Sequence, residues 1–285
     1  MEVSGSTRVC AVIGDPVHHS LSPCIHNAAF QHLGLDYVYV AFQVGLGELG
    51  TAIRGARSLN IHGLNVTMPL KVEIIRYLNR LDGSAEAVGA VNTVLNKDGA
   101  LVGYDTDGRG ALMALEAGKG SLAKEKIVIL GAGGASRAIS HTLAGEAREV
   151  VILNRTLEKA ERLVKELSKR FGEKVKCGKL CRKDIEEELR DADTLINATS
   201  LGMSPHKERT PVEKDLLRPD LRVFDLVYNP LETRLLKEAK SIGAETIDGL
   251  TMLVSQGAAS FEIWTGRRAP IEVMMKVARE KLSEA

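Results

Sequence analysis

The chain has 285 residues, 44% of them hydrophobic, which is near the size at which one core splits into two, so two domains are expected. Lys and Arg number 38 against 37 Asp and Glu, for a net charge of +1 with no long run of one sign, which gives no support to a nucleic-acid or anionic-membrane partner. No apolar run approaches a membrane span and Met1 to Arg8 has no signal-peptide pattern, so a soluble cytoplasmic protein is expected; four scattered cysteines and the lack of H-E-x-x-H or G-x-S-x-G leave disulfide, metal and serine chemistry unsupported.

Arg8 to Ile13 reads as an apolar strand that stops at Gly14-Asp15-Pro16. After it, Ser22 before Pro23 predicts an N-cap and first helical residue, with the helix running to Leu33 and stopped by Gly34. Ser20 and Ser22 then stand at a helix N-terminus, where two hydroxyls and a positive dipole end suit a carboxylate, although capping alone accounts for Ser22. Tyr37 to Val44 alternates as a strand, Glu48 to Leu59 reads as a helix and Gly63 to Thr67 as a strand, an order that implies a parallel or mixed sheet. Pro69 predicts a further helix to about Leu78, placing Lys71 in a first turn where the dipole disfavours a cation; exposed lysines are common, so its position alone does not assign a role. A loop through Ala87 to Thr93 leads to a hairpin, Thr93–Asn96 and Leu101–Tyr104, turned by Lys97-Asp98-Gly99. Asp105-Thr106-Asp107-Gly108 then caps a helix to about Ala117, and each carboxylate fits an N-cap.

Gly118 to Glu125 reads as the linker into a second domain, which opens on Lys126-Ile127-Val128-Ile129-Leu130. This buried-strand pattern runs into Gly131-Ala132-Gly133-Gly134-Ala135, with the G-x-G spacing of a dinucleotide-binding turn. Ser136 stands at the sixth position, small enough for close helix packing. The next strand, Glu149 to Leu153, ends in Asn154-Arg155-Thr156, 23 residues beyond Gly131. An NAD-specific site needs an acid near this point for the ribose 2′-hydroxyl; a guanidinium and a hydroxyl call for NADP. A helix Leu157–Arg170, a strand near Val175, a helix around Lys183–Arg190 and a strand Thr194–Asn197 follow, the last ending in the small and polar Ala198-Thr199-Ser200. Leu221 to Val227 is a further strand, a helix follows to Ser241, Glu245 to Ile247 reads as an edge strand, and two helices close the chain.

These stretches together resemble the shikimate dehydrogenase family over essentially the whole length. The matching motifs are Gly14-Asp15-Pro16 through Ser22-Pro23, Asn65-Val66-Thr67 with Pro69 and Lys71, Gly89 to Thr93, and Thr106-Asp107-Gly108. They continue with Gly131 to Ala135, Asn154-Arg155-Thr156, Asn197-Ala198-Thr199, Asp225 to Pro230, and Met252-Leu253-Val254 with Gln256-Gly257. The resemblance implies an α/β protein of two domains: a substrate domain, residues 1–107 with 249–285, and a doubly wound Rossmann domain for NADP, residues 118–248, joined by a helix over 108–117. It implies reversible reduction of 3-dehydroshikimate to shikimate, a step toward aromatic amino acids. By the same resemblance, Lys71 and Asp107 form the catalytic pair; Ser20 and Ser22 bind the carboxylate; Thr67, Asn92, Asp107, Tyr228 and Gln256 hold the ring and its hydroxyls. Gly131, Ala132, Gly133, Gly134 and Ala135 cradle the pyrophosphate, Asn154, Arg155, Thr156 and Lys159 surround the 2′-phosphate, and Ala198, Leu226 and Gly249 line the nicotinamide end. The family usually has Asn where this chain has Asp105, a second carboxylate beside Asp107 that couples to it and to Lys71. A quinate or quinate/shikimate dehydrogenase and a non-catalytic dinucleotide-binding sensor are the alternatives; a sensor has no need of Lys71 with Asp107. The oligomeric state, monomer or homodimer, is left open by the sequence.

Overall fold

A computed structural model describes residues 3–283. The chain divides into two compact units, one running to Gly110 and resuming at Val254, the other Ala111–Leu253.

The first unit contains β1 (Arg8–Gly14), α1 (Ser22–His32), β2 (Tyr37–Gln43), α2 (Leu49–Ser58), β3 (Gly63–Val66), β4 (Arg80–Leu81), α3 (Gly83–Val88), β5 (Thr93–Lys97) and β6 (Ala100–Tyr104). Its mixed sheet has the order β2-β1-β3-β5-β6-β4. β1 lies parallel to both β2 and β3, while β5 runs antiparallel to β3 and β6. Residues 10–14 of β1 are all buried, as expected of an interior parallel strand covered on both faces. Ala11, Ile13, Leu64 and Val66 pack with Leu49 and Ile53 of α2 and with Ala85 of α3 on one side. Opposite them, Tyr39, Phe30 and the buried His26 stack with Phe261 and Trp264. Asp98 and Gly99 both have positive φ in the β5–β6 turn, the geometry the Asp-Gly pair predicts for a two-residue hairpin. In register, Asn65 pairs with Thr93 and Thr93 with Tyr104, so β3, β5 and β6 bring three polar segments to one end of the sheet.

α4 (Asp107–Lys119) begins in the first unit. The second unit then holds β7 (Lys126–Leu130), α5 (Gly134–Glu146), β8 (Glu149–Asn154), α6 (Leu157–Phe171), β9 (Val175–Lys179), α7 (Arg182–Leu189), β10 (Thr194–Asn197), β11 (Arg222–Asp225), α8 (Arg234–Ser241) and β12 (Thr246–Ile247). Every strand pair is parallel, and the order β12-β11-β10-β7-β8-β9 puts the first strand in the middle with the chain winding outward in both directions. That is the doubly wound dinucleotide-binding order, whose crevice opens at the carboxyl ends of β7 and β10. Alternate residues feed two cores: Ile127 and Ile129 face α5 and α6, while Val128 and Leu130 face α7 and α8. α9 (Gly249–Thr265) and α10 (Ile271–Ser283) follow, and α10 packs on α1.

Three local expectations need correction. No α-helix starts at Pro69: the Met68–Pro69 peptide is cis, Thr67–Leu70 closes as a turn, and only a short 3-10 segment, Glu73–Tyr77, follows. The Lys71 carbonyl, which a helix would need, instead accepts the Val91 N–H at 2.8 Å. The loop expected before Thr93 is preceded by α3, whose ends carry ordinary signals: Asp82 accepts the Ser84 N–H, and Gly89 takes the left-handed C-cap. Finally, α1 begins at Ser22 itself with no side-chain cap from it. The hydroxyl at this turn that accepts a backbone N–H is that of Ser20, from Ser22 at 3.2 Å.

Candidate active site

The turn after β3 and the first turn of α4 meet through Lys71 and Asp107. Lys71 Nζ donates to Asp107 Oδ2 at 2.6 Å, and Asn92 Nδ2 donates to Asp107 Oδ1 at 2.7 Å. Both carboxylate oxygens therefore accept from side-chain donors, which fixes the orientation of the carboxyl group. The Lys71 side chain remains 26% exposed while that of Asp107 is 10% exposed, so Lys71 is the more accessible member of the pair. Burial pulls the Lys71 pKa down, but Asp107, through its charge and hydrogen bond, and Asp105 more than offset this and leave it above its ordinary value. Because Lys71 is not in a helix, the dipole argument drawn from the sequence does not apply to it.

Asn92 is held by its own carbonyl. Asn92 Oδ1 accepts from the Thr106 N–H at 2.9 Å, Thr106 Oγ1 at 3.1 Å and Thr93 Oγ1 at 2.9 Å. With those donors on the oxygen, the amide nitrogen must face Asp107. The network continues inward through Ser260 Oγ to Asn65, and from Asn65 Oδ1 to the Tyr39 hydroxyl at 2.7 Å. Tyr39 is stacked on His26, whose pKa burial lowers to about 3, so the imidazole is neutral and serves the core. Burial, followed by the negative charge of Asp107, pushes the Asp105 carboxyl up to about 7, against the pull of Lys71 and of backbone N–H groups.

Of the other substrate candidates in this unit, Gln256 lies on α9, where a Cβ on Gly110 of α4 would come within 2.6 Å of the Gln256 nitrogen. Ser260, one turn further on, bonds both Thr106 and the Gln256 carbonyl. Thr67 follows β3 and packs against the end of β1, where only a glycine fits: a Cβ on Gly14 would meet Thr67 Cγ2 at 2.3 Å. Ser20 and Ser22 are half-buried at the start of α1, and the Ser22 hydroxyl lies within reach of the Tyr39 phenol. Tyr228, after β11, belongs to the second unit and is 36% exposed. Asn65, Thr106 and Ser260 join this network without a role that the sequence motifs assign; their only signal in the sequence is a polar residue within a buried apolar stretch, as in Leu64-Asn65-Val66 and Ala259-Ser260-Phe261.

In the second unit, β7 leads into a turn built on Gly131, whose φ is +105°, left-handed space that favours glycine, and where a Cβ would come within 3.0 Å of the Ala198 carbonyl. Gly133 caps α5 with no side chain on the helix end, leaving exposed glycines at 133 and 134, and Ser136 Oγ donates to the Gly131 carbonyl at 2.6 Å. This is a backbone cradle of the kind that takes a pyrophosphate. At the end of β8, Asn154 bridges to the Thr156 carbonyl while Arg155, Thr156 and Lys159 are exposed, so two cations and a hydroxyl stand where a ribose-binding acid would otherwise be. Ala198 and Leu226 cap the ends of β10 and β11 and are aligned by backbone bonds to Leu130 and Asn197. Beneath them Asn197 and Thr233 both donate to Asp225, whose carboxyl burial raises to about 6. Gly249 must be glycine because a Cβ there would lie 2.5 Å from the Leu226 and Val227 backbones. These features fit NADP in glycine geometry, charge and the polar anchoring of the strand ends.

Comparison with known proteins agrees with this arrangement. Residues 12–94 match the model of the shikimate dehydrogenase substrate binding domain, residues 113–228 that of shikimate/quinate 5-dehydrogenase, and residues 249–279 that of the shikimate 5′-dehydrogenase C-terminal domain. The NADP(+) shikimate dehydrogenase of Methanocaldococcus jannaschii is 49% identical, over 99% of this chain and 100% of its own. A crystal structure of a shikimate dehydrogenase in complex with NADP+ superposes with a TM-score of 0.93 at 49% identity, covering 99% of this chain and 98% of that one. The Thermus thermophilus enzyme, solved with NADP(H) and shikimate, gives 0.87 at 38% identity over 96% and 99% of the two chains. Among the described residues no helix is long and apolar enough to cross a membrane. The chain belongs to the shikimate dehydrogenase family.

Proposed function

We propose that the chain interconverts 3-dehydroshikimate and shikimate with NADP(H). The observation that carries this reading is the Lys71–Asp107 pair at 2.6 Å, held by Asn92 in a family whose relatives carry that activity. Bound at the Gly131 turn, the dinucleotide supplies the hydride. The carbonyl oxygen then gains negative charge, which the Lys71 ammonium meets, and the Lys71 proton completes the alcohol; in the oxidation direction Lys71 takes that proton back. Asp107, fixed by Asn92, orients Lys71 and balances its charge. Ser20 and Ser22 are assigned to the substrate carboxylate, and Thr67, Asn92, Asp107, Gln256 and Tyr228 to the ring and its hydroxyls. Gly131 through Ala135 take the pyrophosphate, Asn154, Arg155, Thr156 and Lys159 the 2′-phosphate, and Ala198, Leu226 and Gly249 the nicotinamide end. Following NADPH absorbance with 3-dehydroshikimate, and NADP+ reduction with shikimate and with quinate, each repeated with the NAD pair, tests the proposal. Turnover is expected with the shikimate pair and NADP(H); faster oxidation of quinate, or a preference for NAD, would overturn the substrate or the cofactor assignment respectively.

A further inference from the structure

The Lys71–Asp107 pair has a third ionisable neighbour. Asp105 follows β6, is 7% exposed and is anchored through the backbone: its N–H donates to Ser84 Oγ at 3.1 Å, and its Oδ1 accepts the Asp107 N–H at 3.0 Å. This fixes a second carboxyl two residues from Asp107, whose two oxygens are already taken by Lys71 and Asn92. One ammonium is therefore hydrogen-bonded to Asp107 and also feels the charge of the buried Asp105. Two ionised carboxylates in one such site oppose each other, so a proton is retained by the member with fewer charge-assisted donors, which is Asp105. The charged groups acting on Asp105 are Asp107 and Lys71; the side chain packed on its backbone from α3 is the neutral Ser84.

We infer that Asp105 is a positioning residue for proton transfer at Lys71: protonated, it leaves the ammonium balanced by Asp107 alone, and ionised, it adds a second negative charge that holds the proton on Lys71. The inference rests on Lys71 being the proton donor and acceptor of the proposed reaction. Because Asp105 is displaced to about 7, the change of state falls near neutrality, between reduction, which needs a protonated Lys71, and oxidation, which needs a neutral one.

Asp105→Asn tests this, since it keeps an Oδ1 acceptor for the Asp107 N–H and removes the titrating charge. Shikimate oxidation with NADP+ is followed for the full-length wild type and variant from roughly pH 6 to 10, on the rising approach to the Lys71 limb, whose position is read from the rate at fixed pH. The variant's limb is expected at lower pH by roughly one unit, about tenfold in neutral Lys71 at a fixed pH. A limb that stays in place or moves upward overturns the inference. A second readout needs no activity: melting temperature against pH. Asp105 is raised above its unfolded value of about 4, so stability contributed by its protonated form is present below that pH and is lost as pH rises toward 7. Asparagine suffers no such loss, so the variant's melting temperature minus that of the wild type should grow between about pH 4 and 7 and then level off. A flat difference means Asp105 stays ionised throughout and refutes the inference, whereas absence of dehydrogenase activity in the wild type would refute the functional reading and leave the melting comparison standing.

Discussion

Replacing Asn92 by aspartate turns the amide orientation into a pH-dependent stability. In the wild type the Asn92 oxygen takes three donors and its NH2 contacts Asp107 Oδ1 at 2.7 Å. An aspartate keeps one oxygen for those donors and turns the other toward Asp107. If both carboxyls were ionised at that separation, their repulsion would cost about 6 kcal/mol at an effective dielectric constant near 20. A shared proton relieves it, so the pair should hold a proton with a folded-state pKa raised by about four units above the unfolded value near 4. The sign follows from linkage: the folded variant binds the proton more tightly than the unfolded chain, so stability is retained below about pH 4 and lost as pH rises through the raised pKa. Between pH 5 and 8 the loss relative to wild type is about 4 kcal/mol. Asn92→Leu, which removes the acceptor altogether, should be destabilised at every pH because it strands the Thr106 N–H in a buried site. Denaturant titrations of both variants at the two pH values decide the matter. An aspartate variant as stable as wild type at pH 8 would mean that the amide does not face Asp107.

Arg155→Ala should weaken NADP by on the order of 10-fold, toward the low end for a charge-assisted contact because exposed Lys159 remains nearby, and leave NAD turnover as it was; equal losses with both cofactors would remove Arg155 from the 2′-phosphate. Ser22→Ala should raise the Michaelis constant for shikimate more than it lowers turnover, since a remote carboxylate is bound alike in ground and transition states. It is a cleaner probe than Ser20→Ala, whose hydroxyl holds the Ser22 N–H and takes about 1 kcal/mol of stability with it. An unchanged constant in Ser22→Ala moves the carboxylate away from that hydroxyl.

The parallel half of the fold was legible because its information is local. Four apolar residues before Gly131, helical spacing after it and a second apolar strand from Glu149 each specify an element within a few residues, and close approaches such as Gly131 to Ala198 follow from the strand order. The substrate half was read less evenly. Its hairpin carries an Asp-Gly signal, but the segment after Pro69 has helical spacing, and the bond that replaces the helical one, Val91 N–H to the Lys71 carbonyl, comes from 20 residues away. Lys71 and Asp107 are 36 residues apart, and nothing in their spacing joins them; the family motifs named them, and three-dimensional pairing supplied the physical reason. The anchoring of Asn92 was less legible still, because Ser260 reaches Thr93 across 167 residues and sits among alanines as an unremarkable helix serine.

The central claim is that Lys71 moves the proton while other groups hold the substrate. Its removal leaves the buried Asp107 carboxyl without its cation and held by Asn92 alone, so Lys71→Ala should lose stability, roughly 3 kcal/mol given that the lysine is partly exposed, and must be assayed at a temperature where it is folded. The measurement is turnover of 3-dehydroshikimate with NADPH by this variant, set beside the affinity for shikimate from calorimetry on the same sample. A fall in turnover of roughly 10² to 10⁴, with affinity changed by far less, is the predicted result. Turnover within a few-fold of wild type in the folded variant would contradict the account at its centre.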